Sequence, residues 1–132
     1  MTQYASPNAT FKYGSNFMQN YIDSDIEVEK TAETEEATPI GAAVNKEAFS
    51  GITTLKDIGV GGIYDDQAAT GPDAVFGGGL GTSAAVEILY GGTKKTTVAG
   101  MGVKAYKRTI SKGKLTRYAT TLCNTGATIT EA

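Results

Sequence analysis

From Ile40 onward no stretch long enough for a helix keeps an apolar residue every three to four positions; short apolar segments recur instead, separated by Gly, Pro, Asn and Asp. "IGAAV", "GITTL", "IGVGGIY", "AVF", "AAVEILY", "KTTVAGMGVKAY" and "KLTRYATT" are each of strand length. Short strands at such spacing belong to small sandwiches and barrels. Glycine strengthens the argument, because 17 of 132 residues is well above the usual share of about 7%. Each interior glycine costs a helix about 1 kcal/mol relative to alanine. The expected fold is all-β, a small β-sandwich or barrel, with at most one short helix or turn near Asn45 to Phe49. Gly91-Gly92 between "VEILY" and "TKKTTV" suits a two-residue hairpin turn, and Gly113 in "RTISKGKLTRY" suits a tight reversal flanked by Ile110 and Leu115.

The first third of the chain has a different texture. Tyr4, Phe11, Tyr13 and Phe17 are interleaved with Asn, Ser, Gln and Gly in neither a helical stripe nor clean alternation. Such a segment can settle against a partner, its aromatics supplying contact area, or can lie over the domain's own core. In "NYIDSDIEVEK", Ile22, Ser24, Ile26 and Val28 fall on one face of an extended strand and Asp23, Asp25, Glu27 and Glu29 on the other. "TAETEEATP" has no large apolar residue and ends in Pro39, which reads as a linker. Residues 1–39 are therefore expected to be an extended N-terminal arm with an acidic linker, and residues 40–132 a Gly- and Thr-rich β core.

Charge is segregated along the chain. Through Gly92 there are 13 acidic residues and 4 lysines, a sum of -9; from Thr93 there are 8 basic residues and 1 acidic, a sum of +7. The two sums give the net -2 of the whole chain. Such separation can close within one molecule, bind a polyanion, or join subunits. Lys104, Lys107, Arg108, Lys112, Lys114 and Arg117 accompany Tyr106 and Tyr118, the mixture of cations and stacking rings used by single-strand nucleic-acid modules. The acidic overall balance, with a pI near 5.1, argues against nucleic acid and toward an acidic protein surface as partner. On that reading, Asp23, Asp25, Glu27 and Glu29 meet Lys104, Lys107 or Arg108 across a subunit boundary.

Candidate chemistry is sparse. There is no histidine, which removes Ser-His-Asp and Cys-His nucleophiles and the common zinc sites. Cys123 stands alone and has no internal disulfide partner. Asp65 and Asp66 are adjacent, so on a strand they face opposite sides. No apolar run approaches the roughly 20 residues of a membrane helix; a soluble chain without cofactor, metal or membrane partner is expected. The string "GGGLGTSAA", residues 77–85, resembles the phosphate loop of the GHMP small-molecule kinases. That resemblance implies that Gly79, Gly81, Thr82 and Ser83 wrap ATP phosphates, provided that a helix follows. The succeeding "VEILYGG" alternates and then turns, which instead suggests a glycine-rich corner between strands.

An aromatic arm, an acidic strand, a Gly-rich β core and a basic terminal hairpin, with the run "IGVGGIY...AVEILYGGTKKTTVAGMGV", together resemble the capsid-decorating, or cement, proteins of tailed bacteriophages. The resemblance implies a non-enzymatic structural protein on the capsid exterior, bound to the major capsid protein or another virion subunit. It also implies a homo-oligomer, a trimer for preference. Interface residues would be Tyr4, Phe11, Tyr13 and Phe17 of the arm, Asp23, Asp25, Glu27 and Glu29 of the acidic strand, and Lys104, Lys107 and Arg108 of the core. The nucleotide-binding and single-strand readings remain the alternatives.

Overall fold

A computed structural model describes residues 8–41, 43–126 and 128–131. Its strands are β1 (Thr10–Tyr13), β2 (Asn16–Phe17), β3 (Lys30–Glu36), β4 (Glu47–Leu55), β5 (Ile58–Ile63), β6 (Ser83–Leu89), β7 (Lys95–Thr109), β8 (Arg117–Asn124) and β9 (Ile129–Glu131). Seven of them form one antiparallel sheet in the order β2-β1-β6-β7-β8-β5, with β9 on β7; β3 and β4 form a separate two-stranded ribbon. The all-β expectation holds, and the sheet is curled into a half-barrel.

The curl has a local cause in β7. Ala84 and Val86 pair with Met101 and Val98, and Val103 and Ala105 pair with Leu122 and Thr121. At each step β7 holds one residue more than its partner. Such bulges bend a strand and increase its twist, so the 15-residue β7 curves around a core while its first half meets β6 and β9 and its second half meets β8. Phe11, Met18, Ile58, Phe76, Val98, Met101 and Leu122 fill the concave side and are each at most 1% exposed.

The two edges of the half-barrel are bridged by the chain between β2 and β3. Met18 N–H donates to the Phe11 carbonyl (2.7 Å), a 3-10 turn spans Gln19–Tyr21, and the Asp23 and Ser24 amides donate to the Gly61 carbonyl of β5 (3.0 and 3.3 Å). Residues 22–29 then run extended as a strap. Ile22, Ile26 and Val28 pack on the core while Asp23, Asp25, Glu27 and Glu29 are exposed, as the alternation expects; Ser24, expected on the inner face, is exposed instead, its hydroxyl accepting the Gly61 N–H at 2.9 Å. The segment is not a ladder strand, however, because its only backbone bonds to β5 are at Gly61. The strap passes so close to β5 that a Cβ at Gly62 would overlap the Tyr21 carbonyl; only glycine admits that approach.

Several local expectations differ from the structure. Residues 10–13 of the expected arm are paired with β6, from Thr10↔Leu89 to Tyr13↔Val86, because Phe11 and Tyr13 are the residues on that strand that fill the core. Most of the expected linker is β3, since Thr31 and Thr34 suit an extended backbone and β4 supplies partners. The helix or turn expected near Asn45 to Phe49 is instead the start of β4. The described residues of "IGAAV" lie at the ribbon tip, and "AVF" lies in a π-helical turn, Asp73–Gly77, whose Val75 and Phe76 reach the core. The Gly91-Gly92 reversal is longer than two residues, as Leu89 pairs with Lys95 across residues 90–94. The Gly113 reversal is present, closed by Lys114 N–H to the Ser111 carbonyl at 3.1 Å.

Candidate assembly interface

The ribbon departs most from a self-sufficient fold. β3 and β4 are joined along Lys30↔Leu55 to Glu36↔Glu47, and polar cross-links such as Thr34 Oγ1 to Glu47 Oε1 (3.2 Å) and Ser50 Oγ to the Glu33 carbonyl (3.2 Å) hold it together. Within β3 and β4 only Leu55, at the root, is buried. Lys30–Glu131 (3.2 Å) and Lys56–Glu29 (2.7 Å) fix that root to β9 and the strap. Beyond it, Ile40, Val44, Phe49 and Ile52 are exposed. A lone two-stranded ribbon is marginal in water, and this one carries apolar side chains without a core to bury them.

A second surface is a groove of about 630 Å³ between the strap and the beginning of β1 and end of β6. Phe11, Ile22, Ile26, Val28 and Ile88 contribute apolar walls, and Asp25 and Glu27 stand at its rim. Neither carboxylate has an ion pair among the described residues. Gln19, also on the wall, has Oε1 buried without a hydrogen-bond partner.

The residues expected at an interface are distributed unevenly. Tyr4 lies outside the described residues. Phe11 (1% exposed) and Tyr13 (5%) belong to the chain's own core, where Tyr13 hydroxyl donates to the Met101 carbonyl; burial also raises the Tyr13 pKa above its ordinary value. Phe17 is exposed, with the Lys12 ammonium 5.3 Å from its ring centre. Asp23 pairs with Arg117 and Glu29 with Lys56. Lys104 pairs with Asp57 (3.0 Å) and Arg108 with Asp73 (2.6 Å). Lys104 and Arg108, expected to meet the acidic strand across a subunit boundary, are thus paired within the molecule with other carboxylates, and Lys107 is exposed on β7.

Arg108 and Asp73 form a clamp. Arg108 Nε and Tyr106 hydroxyl both donate to Asp73 Oδ1 (2.8 and 2.9 Å), and the guanidinium lies 5.3 Å from the Tyr106 ring centre. Tyr106 stacks on Tyr118, which stacks on Phe76. The Arg108 hydrogen bond holds the Asp73 carboxyl below the usual carboxylate range. Burial, then the bond to Asp73, pushes Tyr106 up to about 12. The clamp pins the π-helical turn to β7, and its carboxylate is already engaged by both donors.

Asp73→Asn is expected to cost about 1–2 kcal/mol at neutral pH through weakened charge-assisted hydrogen bonds. Because the folded-state pKa is depressed, the stabilisation is present above the unfolded value of about 3.9 and is lost as pH falls through the folded value. Urea unfolding of parent and variant should therefore converge in acid. A difference unchanged between pH 7 and pH 2 would exclude the charge as its source.

The glycine-rich string closes on itself. Gly81 takes φ +81°, and its N–H donates to the Val103 carbonyl; the Thr82 N–H and hydroxyl both donate to the Gly79 carbonyl (2.9 and 2.6 Å). Ser83 begins β6 opposite Gly102. The Gly81 and Thr82 amides that would face a phosphate are already used, and a strand stands where that mechanism needs a helix. Among the described residues no group of three or more Cys, Asp or Glu side chains converges.

Sequence reasoning missed the ribbon. Its signal was faint: threonine-rich "TAETEE" facing "EAFSGITTL", a polar strand opposite one with isolated apolar residues.

The sequence matches no protein-family model and no curated protein. Its fold is similar to a chain in the virion of a native gene transfer agent particle, with TM-score 0.73, 12% identity, and coverage of 98% of this chain and 99% of that one. It is also similar to a chain in the C6-symmetric tail of an empty particle of that kind (TM-score 0.71, 11% identity, 98% and 99% covered). A chain of an extracellular contractile injection system's sheath/tube terminator is similar as well (TM-score 0.69, 10% identity, 98% of each covered). The chain has the fold of subunits found in virion, tail and injection-system particles.

Proposed function

We propose that this chain is a non-enzymatic structural subunit of a phage-tail-like particle, assembling with further copies of itself into a ring or tube. The ribbon carries the reading. It presents Ile40, Val44, Phe49 and Ile52 to solvent, and its stability as a two-stranded element calls for a surface to cover them. The settings of the similar folds, a C6-symmetric tail and a sheath/tube terminator, favour a tail position over the capsid exterior. They also favour six-fold over three-fold symmetry. Decoration of a capsid through the major capsid protein is the second reading, and it draws on the same exposed ribbon.

Replacing residues 34–51 by a short turn should leave the seven-stranded sheet folded, because the ribbon contributes only its root to the core. The expected result is a monomer by light scattering at concentrations where the parent forms rings visible by electron microscopy. A parent that stays monomeric throughout, or a ribbonless variant that assembles like it, would refute self-assembly through the ribbon.

A further inference from the structure

The strap groove and the β7–β8 turn have complementary chemistry. Residues 104–117 contain six cations and no carboxylate. Lys104, Arg108 and Arg117 are tied to Asp57, Asp73 and Asp23, which leaves Lys107, Lys112 and Lys114 without an ion pair among the described residues. Between them Ile110 and Leu115 are 85% and 68% exposed. The turn is thus a convex apolar tip carrying lysines. The groove is its inverse, with apolar walls and the unpaired Asp25 and Glu27 at the rim.

Within one copy the turn does not enter the groove: Ile110 and Leu115 stay exposed, and the two surfaces touch at the turn's root, where Arg117 pairs with Asp23 at one end of the groove. The groove's Leu89 pairs with Lys95, the first residue of β7, whereas the turn follows Thr109, its last. The β6 side of the groove and the turn thus lie at opposite ends of the 15-residue β7.

We propose that the groove receives the β7–β8 turn of a second copy. Ile110 and Leu115 enter against Ile22, Ile26 and Leu89, while the turn's lysines face Asp25 and Glu27. Gln19 Oε1, buried without a donor, accepts a main-chain N–H from the incoming turn. Donor and acceptor patches differ, so the contact is head-to-tail, the kind that generates closed rings or open filaments. The inference rests on the self-assembly reading and specifies which surfaces join neighbours, separately from the ribbon.

The test uses two full-length double variants, Asp25→Lys with Glu27→Lys, and Lys112→Glu with Lys114→Glu. All four positions are exposed, and thermal unfolding should show both variants folded. Each alone places like charges at the contact, and each should assemble at least about tenfold more weakly than the parent. Mixed in equal amounts they restore opposite charges at every contact and should co-assemble near the parent's midpoint concentration in sedimentation. Variants that assemble like the parent, or a mixture no better than its components, would overturn the groove contact while leaving ribbon-driven assembly intact. A monomeric parent would instead remove both readings.

Discussion

Phe76→Ala is expected to cost about 3–5 kcal/mol, the range for truncating a fully buried aromatic. Phe76 is 0% exposed, and its ring lies 5.5 Å from that of Tyr13 and 6.1 Å from that of Tyr118. Removing it leaves a cavity under three elements at once: the π-helical turn, β1 and β8. The sheet cannot collapse into that space, because the Asp73–Arg108 clamp and the Gly79–Thr82 corner hold both ends of the segment bearing Phe76. Since a domain of this kind has only about 5–15 kcal/mol to lose, the melting temperature should fall by more than roughly 10 °C. Phe49→Ala supplies the contrast. Phe49 is 79% exposed on the ribbon, so its removal should change monomer stability by about 0.5 kcal/mol or less while weakening assembly. Calorimetry on both variants checks the pair; a small loss at Phe76 would mean that its ring does not fill the core.

Gly62→Ala is the second large effect. The added methyl would collide with the Tyr21 carbonyl, and this neighbour is backbone, unable to rotate aside. Accommodation requires moving the strap away from β5, with loss of the Tyr118 hydroxyl bond to the Tyr21 carbonyl (2.7 Å) and of the Asp23 and Ser24 amide bonds to Gly61. The expected cost is about 3 kcal/mol, at or above the upper end for overpacking. Amide exchange at Asp23 and Ser24 should rise to that of open chain. Gly59→Ala on the same strand is the control, since the new methyl there would meet nothing within 4 Å. It should be neutral or slightly stabilising, because alanine restricts the unfolded chain more than glycine does. Equal stability of the two variants would show that the strap does not lie against β5. The groove contact further predicts that Gly62→Ala loses assembly beyond what its stability loss explains, because the strap is one wall of the groove.

Legibility in the sequence followed where the physics was local. The alternation of Ile22, Ile26 and Val28 with four carboxylates predicted that these three apolar side chains face inward, since period two is a property of extended backbone whatever its partner, although Ser24 on the same face is exposed. The same alternation could not say whether that backbone joins a ladder. It does not, because the 3-10 turn and Gly62 set the strap across β5 with bonds at Gly61 alone. The aromatics of residues 4–17 were ambiguous for a similar reason. Phe11 and Tyr13 could cover a partner or the chain's own core, and pairing with β6, 70 and more positions away, decided for the core. The ribbon was hardest to see, because a polar threonine- and glutamate-rich stretch has the composition of a linker until a second strand is beside it.

Composition and spacing by themselves determined a β protein built from short strands, a glycine corner at residues 77–83 and a reversal at Gly113, because turn chemistry and side-chain period act within a few residues. They also determined that acid and base lie in different parts of the chain. Only the tertiary structure decided which of those charges are spent internally, and that Asp25, Glu27, Lys107, Lys112 and Lys114 are without an ion pair among the described residues. Ion pairing depends on distances across the fold, and those are set by the bulges of β7 and the path of the strap, neither of which has a signature in any short stretch of sequence.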